Sequence, residues 1–217
     1  MITLNSDAAS TSLSKTTKAI LNEYGIKLNK NLGQNYLIDR NKRDQIIQFG
    51  NLTKDDVVLE IGPGIGTLTI ELAKRVKKVI AIEQDSNICQ ILENRLKKEN
   101  IDNVELINDD ALNVEFPKFD KIISNLPYQI SSPITFKFLN YDFQLAILMY
   151  QKEFASRMNG KVGSKDYSRL SAMLYFKCDV DLLTGVSAES FIPKPKVDST
   201  VVRLTPKLPE LNGQLKH

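Results

Sequence analysis

The 217-residue sequence has little of what several protein classes require. Its two cysteines, Cys89 and Cys178, lie far apart without a Cys-x-x-Cys motif, and its one histidine is His217. Neither a disulfide framework nor a zinc site fits this pattern, so we expect reduced thiols, no metal and a cytoplasmic protein. No apolar run approaches the roughly 18 residues of a membrane helix. The polar, Ser- and Thr-rich start has no apolar signal-peptide core.

The overall charge is mild. A composition of 42% hydrophobic and 25% charged residues is ordinary for a globular protein with one sizeable core. The formal net charge of +3 permits a nucleic-acid partner without requiring one. Basic residues concentrate in an N-terminal stretch and a C-terminal stretch: Lys15, Lys18, Lys27 and Lys30, then Lys194, Lys196, Arg203 and Lys207. Solvated surface lysines are the alternative interpretation.

Short apolar runs alternate with amphipathic segments along most of the chain. Strands are predicted at 57–61, 79–83, 104–107, 121–124, 143–150, 179–186 and 199–204. Helices are predicted at 13–24, 40–50, 68–76, 86–96, 152–158 and 168–177, with Ser86 as one N-cap. This alternation predicts an α/β, Rossmann-like fold, a mostly parallel seven-stranded sheet with helices on both faces. We expect a disordered tail at 1–12, a domain at 13–206 with an N-terminal helical arm, and a loose tail at 207–217.

A glycine-rich loop follows the first predicted strand of this sheet. Gly62, Gly64 and Gly66 let the backbone turn sharply and approach a ligand closely, at the point where such sheets bind nucleotides. The spacing is not the dinucleotide Gly-x-Gly-x-x-Gly, because residue 67 is Thr. Glu83, at the end of the next predicted strand, can accept two hydrogen bonds from a ribose diol. A helix-capping or solvated acid is the alternative role for Glu83.

A second acidic position follows the strand predicted at 104–107. A carboxylate there can accept a hydrogen bond from the amino group of an adenine ring. Asp109 and Asp110 both qualify. We prefer Asp110, because the small Ala111 next to it leaves room for a flat ring.

The segment Asn125-Leu126-Pro127-Tyr128 is typical of a clamp for an amino group on an aromatic base. Such an amine is a poor nucleophile because its lone pair is delocalised into the ring. The Asn125 amide oxygen and the Leu126 carbonyl can accept its two hydrogens and localise that lone pair. Pro127 stiffens the turn, and a base stacked on Tyr128 gains about 1–3 kcal/mol. No strong base is needed, since the nitrogen becomes acidic after attack. An ordinary turn with a surface tyrosine is the alternative.

Four segments, in order, resemble the rRNA adenine N6-dimethyltransferases, in particular the small-subunit (KsgA/Dim-type) branch of archaeal type: residues 29–39, 60–66, 125–133 and 191–199. The resemblance implies S-adenosyl-L-methionine as cofactor. It implies that Gln34, Asn35 and Leu37 fold over this cofactor and that Gly62 and Gly64 face its methionine part. Glu83 would bind the cofactor's ribose and Asp110 its adenine. Asn125 would bridge the cofactor and the target amine. It also implies that Tyr128 and Phe191 sandwich the base. From the residues alone, Phe191 fits a core position equally well.

The resemblance further implies dimethylation of two adjacent adenosines in a hairpin near the 3′ end of small-subunit rRNA, within a pre-ribosomal particle. A base in folded RNA must leave its stack to react, and RNA loops make this easier. The basic residues expected to contact phosphates are Lys152, Arg157, Lys165, Lys194 and Lys196. We expect a monomer. Family members usually continue with a small helical domain, and this chain ends soon after its last predicted strand, which puts docking on a ribosomal precursor in doubt.

Three other functions share parts of this pattern. A large-subunit rRNA adenine methyltransferase of the antibiotic-resistance type has the same fold and chemistry, although Leu126 and the Phe191-x-Pro-Lys-Pro segment lean against it. A non-catalytic ribosome-assembly factor on this fold would not need the intact Asn125-x-Pro127-Tyr128. An NAD-dependent dehydrogenase would need a different glycine spacing and a histidine near the sheet.

Overall fold

The computed structural model describes residues 12–26 and 34–207. The predictions of a disordered start and a loose tail therefore fall almost entirely outside the described residues, as do Lys27 and Lys30 of the basic N-terminal stretch.

The described residues form strands, helices and two short 3-10 turns. The strands are β1 (Tyr36–Leu37), β2 (Val57–Ile61), β3 (Lys78–Glu83), β4 (Val104–Asn108), β5 (Lys121–Asn125), β6 (Leu145–Gln151), β7 (Cys178–Val186), β8 (Phe191–Ile192) and β9 (Ser199–Pro206). The helices are α1 (Leu13–Glu23), α2 (Arg40–Phe49), α3 (Thr69–Ala73), α4 (Ser86–Lys98), α5 (Ser131–Phe138), α6 (Lys152–Met158) and α7 (Arg169–Lys177). The 3-10 turns span Tyr128–Ile130 and Ala188–Ser190.

Seven of these strands form one sheet in the order β4-β3-β2-β5-β6-β9-β7. The pairs from β4 to β6 are parallel, and β9 runs antiparallel to both β6 and β7. The predicted α/β fold with a mostly parallel seven-stranded sheet is confirmed. The carboxyl ends of β2, β3, β4 and β5 meet at one edge, which is where a sheet of this type places its ligands.

The central strands are buried on both faces of the sheet, as is usual for parallel strands. Along β2, Leu59 and Ile61 point to a core shared with α5, α6 and α7. Val58, on the opposite face, packs with residues of α2 and α3. The helix α4 adds Leu92 and Leu96, which pack with Ile70 of α3. Helices therefore cover both faces, as predicted.

Three features of the fold differ from the sequence-based expectation. The N-cap of α4 is Asp85, whose side chain accepts hydrogen bonds from the backbone N–H groups of Asn87 (3.0 Å) and Ile88 (3.3 Å), so Ser86 is the first helical residue instead. The helix α5 was not predicted. Neither was the antiparallel ladder that pairs β1 with β8. Two-residue strands carry no periodicity, so a ladder of this kind is visible only in three dimensions.

Within the described residues, no helix is long and apolar enough to cross a membrane. The same part of the chain contains no group of three or more His, Cys, Asp and Glu side chains arranged to hold a metal ion.

Candidate active site

A cleft opens at the carboxyl ends of β2, β3, β4 and β5. It gathers eleven of the predicted cofactor and clamp residues: Gln34, Asn35, Leu37, Gly62, Gly64, Glu83, Asp110, Asn125, Leu126, Pro127 and Tyr128. These residues come from segments that lie far apart in sequence. Their convergence follows from the parallel topology, which brings the ends of successive strands to one edge.

The glycine-rich loop between β2 and α3 needs its glycines for conformation and for space. Gly62, Gly64 and Gly66 have φ angles of +67°, +55° and +88°, which residues with a Cβ rarely adopt. A Cβ on Gly64 would lie 2.8 Å from the Tyr36 ring, and one on Gly62 would lie 3.0 Å from Pro127. The loop therefore packs directly against both the residues before α2 and the proposed clamp.

Glu83 closes β3 with its carboxylate held by the backbone. Its Oε2 accepts a hydrogen bond from the Gly64 N–H at 3.2 Å, and its Oε1 accepts one from the Asp85 N–H at 3.0 Å. Burial raises the pKa of Glu83, which is 9% exposed. Each carboxylate oxygen can accept more than one hydrogen bond. Glu83 is thus fixed in orientation and still able to accept hydrogen bonds from ligand hydroxyls.

Glu60 also lines the cleft and was missed as a site residue at the level of sequence. It is 2% exposed, and its Oε2 has no hydrogen-bond partner among the described residues. Burial, together with the nearby Glu83 carboxylate, raises the pKa of Glu60 to about 8. The available signal was an acid inside the otherwise apolar strand Val57–Ile61. A buried carboxyl oxygen without a hydrogen-bond partner is costly unless a ligand compensates it.

The two candidate acids for an adenine ring both reach the cleft. The Oδ1 of Asp110 accepts a hydrogen bond from the Leu112 N–H at 2.9 Å, and Asp109 Oδ1 accepts one from the Asp110 N–H at 2.7 Å. Ala111 is buried beside them at 4% exposure, consistent with a close approach by a flat group. The preference for Asp110 over Asp109 stays a prediction.

The clamp segment starts at the last residue of β5. The Asn125 side chain donates a hydrogen bond from Nδ2 to the Asn35 carbonyl at 3.0 Å, which fixes the amide orientation and leaves Oδ1 as an acceptor. Leu126 is buried, and Pro127 packs against Gly62. Tyr128 is half-buried, with its hydroxyl 2.5 Å from Ser199 Oγ. The glycine-rich loop and the predicted clamp therefore lie in direct contact.

Phe191 is not among the residues that line this cleft. It is 2% exposed, sits opposite Leu37 in the β1–β8 ladder, and belongs to the core with Val186 and Val201. In this geometry its ring offers no face to a base, so the predicted sandwich with Tyr128 stays a prediction that requires Phe191 to move. The β1–β8 ladder links it to the cleft through Leu37, its partner there.

The predicted RNA contacts lie on the surface. Exposed side chains are those of Lys152 and Arg157 on α6, Lys165 in the following loop, and Lys194 and Lys196. Lys194 forms an ion pair with Glu189. Their contacts with phosphates stay predictions.

Comparison with known proteins decides the family. A family model described as ribosomal RNA adenine dimethylase matches residues 25–217. The chain belongs to the ribosomal RNA adenine dimethylase family. The resemblance in the four sequence segments is therefore confirmed.

Several similar members of the ribosomal RNA adenine dimethylase family are archaeal. A probable ribosomal RNA small subunit methyltransferase A from Methanosphaera stadtmanae is 54% identical over 88% of this chain and 70% of that protein. Its counterpart from Methanothermobacter thermautotrophicus is 53% identical over 88% of this chain and 68% of that protein.

Solved structures agree with this assignment. A dimethyladenosine transferase from Plasmodium falciparum is 43% identical with a TM-score of 0.75, over 79% of this chain and 63% of that one. The 23S rRNA methyltransferase ErmE is 33% identical with a TM-score of 0.71, over 79% of this chain and 70% of that one. The chain therefore spans less than two thirds of the length of the Plasmodium protein.

Proposed function

We propose that this protein transfers methyl groups from S-adenosyl-L-methionine to the N6 amino groups of two adjacent adenosines in a 3′-end hairpin of small-subunit rRNA. The reaction belongs to ribosome biogenesis, with a pre-ribosomal particle as substrate and the protein acting as a monomer. The observation that carries the proposal is that a carboxylate-lined glycine loop, packed against Pro127, and an oriented Asn125 amide line one cleft.

The cleft fits this cofactor in its charge and in its hydrogen-bonding groups. Glu60 and Glu83 are two buried carboxyl groups in one cleft, and Glu60 Oε2 has no partner among the described residues. A ligand that carries positive charge favours the ionised form of both groups, whereas an anionic dinucleotide disfavours it. Bound S-adenosyl-L-methionine supplies an electrophilic methyl group on a cationic sulfur.

The residues of the clamp prepare the target amine. Asn125 Nδ2 is occupied by the Asn35 carbonyl, so Oδ1 is the atom that accepts a hydrogen from the amine. The Leu126 carbonyl is the second acceptor, with a direction fixed by Pro127. Holding both hydrogens localises the nitrogen lone pair, and positioning of the reacting groups lowers the barrier. Tyr128 supplies the stacking face.

The archaeal relatives at about half identity are named as small subunit methyltransferases, and this supports the small subunit as the source of the RNA. Of the two solved structures named above, only ErmE supports the large-subunit alternative. Its identity to this chain, 33%, is lower than the 43% of the dimethyladenosine transferase.

Methyl transfer from labelled S-adenosyl-L-methionine to under-methylated small ribosomal subunits, followed by nucleoside analysis, tests the proposal. We expect N6,N6-dimethyladenosine in small-subunit RNA. Large subunits and naked large-subunit RNA are the matched controls, and labelling there instead would support the antibiotic-resistance type. Cofactor binding without any methylated RNA would contradict the proposed activity of this chain.

A further inference from the structure

Ser199 is a buried hydroxyl at a rigid point beside the cleft. It is the first residue of β9 and is 1% exposed. It pairs with Gln151 of β6 on one side and with Val186 of β7 on the other. Because two strands fix its backbone, the position of its Oγ is set by the sheet.

The hydroxyl of Tyr128 lies 2.5 Å from this Oγ, across 71 positions of sequence. Tyr128 begins the 3-10 turn Tyr128–Ile130, which has no side-chain cap at its start. Burial raises the pKa of the Tyr128 phenol, with the Ser199 hydrogen bond opposing that shift. The hydroxyl is thus a neutral anchor engaged with the sheet, and Tyr128 also lines the cleft.

We propose that Ser199 is a positioning residue for methyl transfer: its hydroxyl anchors Tyr128 to the sheet and fixes the ring on which the target base stacks. The inference rests on the proposed function and extends it to a residue outside the cleft lining. Two consequences follow. Tyr128 takes no part in proton transfer, and the hydroxyls of Tyr128 and Ser199 act as one unit.

A double-mutant cycle with Tyr128→Phe, Ser199→Ala and the double variant tests this coupling. We expect each single variant to lower kcat on the RNA about 10- to 100-fold, since small misplacements at a reacting centre have effects of this size. The double variant should be no slower than the slower single variant. Affinity for S-adenosyl-L-methionine should stay within about twofold, because neither hydroxyl is needed for the cofactor.

Tyr150→Phe is the matched structural control. Tyr150 is fully buried, its hydroxyl lies 2.7 Å from Thr135 Oγ1, and it does not line the cleft. This variant should lower the melting temperature and leave kcat unchanged. A kcat loss equal to that of Tyr128→Phe would reduce the role of Ser199 to general stability and overturn the proposal.

The remaining outcomes separate the positioning role from the proposed function. Wild-type kcat in Tyr128→Phe and Ser199→Ala, or additive losses in the double variant, would overturn the positioning role while leaving methyl transfer intact. If the Ser199→Ala variant does not fold, the kcat of Tyr128→Phe alone tests the positioning role, because this substitution removes the same hydrogen bond and keeps the ring. A wild-type protein that methylates no RNA would overturn the proposed function and this role together.

Discussion

At the scale of single residues, the buried Glu60 carboxyl group sets a pH dependence. Its pKa is raised from 4.5 to about 8 by burial and by Glu83, so folding favours its protonated form. The unfolded chain releases this proton near pH 4.5 and the folded chain near pH 8. The stabilising contribution of protonated Glu60 is therefore present below about pH 4.5 and is lost as the pH rises towards 8.

We predict that Glu60→Gln becomes more stable relative to the wild type as the pH rises through this window, by on the order of a few kcal/mol. The free energy of unfolding should be measured in urea at about pH 5 and about pH 8, on either side of most of this titration, without cofactor. Glutamine keeps the shape and lacks the titration. A stability difference that is the same at both pH values would show that Glu60 does not titrate between them.

Asn125 is the second residue with a specific expectation. We predict that Asn125→Ala lowers the rate of methyl transfer by about 10²–10³-fold, the usual size for removing one oriented hydrogen-bonding group at a reacting centre. Cofactor should still bind, though more weakly, because the substitution also removes the hydrogen bond to the Asn35 carbonyl. Single-turnover rates and calorimetry separate the two effects.

Asn103→Ala is the control for Asn125→Ala. The Asn103 Nδ2 also donates a hydrogen bond to a backbone carbonyl, that of Ala73 at 2.8 Å, and Asn103 does not line the cleft. It should reduce stability and leave methyl transfer intact. Full activity in Asn125→Ala would refute the clamp mechanism.

At the scale of elements, the loop between β2 and α3 combines backbone conformation with close packing. We predict that Gly64→Ala destabilises the protein more than Gly163→Ala and also weakens cofactor binding. Both glycines have positive φ, +55° and +82°, so each substitution costs about 1–2 kcal/mol in conformation. Only at Gly64 would the new Cβ meet a neighbour, the Tyr36 ring at 2.8 Å, whereas nothing lies within 4 Å at Gly163.

Thermal melts and calorimetric titration with S-adenosyl-L-methionine would measure both effects. Equal losses of stability in the two variants would mean that Tyr36 moves aside freely and that its close approach to Gly64 has no energetic weight.

The helices and strands also show which parts of the structure can be predicted from the sequence. The strands β2, β3 and β5 were predictable because each contains a short apolar run, as buried parallel strands do. Gly62 directly follows β2, and Glu83 and Asn125 are the last residues of β3 and β5. The environment of Phe191 was not predictable, because its burial depends on a two-residue ladder with Leu37, which comes from a distant part of the sequence. From the sequence, Glu60 could be noticed only as an acid within an apolar strand, because the missing hydrogen-bond partner of its Oε2 is a property of the assembled cleft.

At the scale of the whole molecule, the two ends of the parallel strands differ in the residues that they place at the surface. The carboxyl edge holds the cleft, and α6 begins there directly after β6, with Lys152 and Arg157 exposed on it. The opposite edge holds the start of β5, preceded by the exposed Lys118. Because the net charge is only +3, we expect the positions of the basic side chains, rather than the total charge, to direct RNA towards the cleft.

We predict that Lys152→Gln with Arg157→Gln weakens binding of the substrate RNA and makes it less sensitive to salt, whereas Lys118→Gln changes neither. For single-stranded RNA, removing one interaction with a phosphate should reduce the slope of log affinity against log salt by about 0.7. Titrations at several salt concentrations measure the slope, and cofactor affinity should be the same in the wild type and both variants. A slope that falls equally for Lys118→Gln would mean that the RNA responds to overall charge, and that α6 has no special place in the interface.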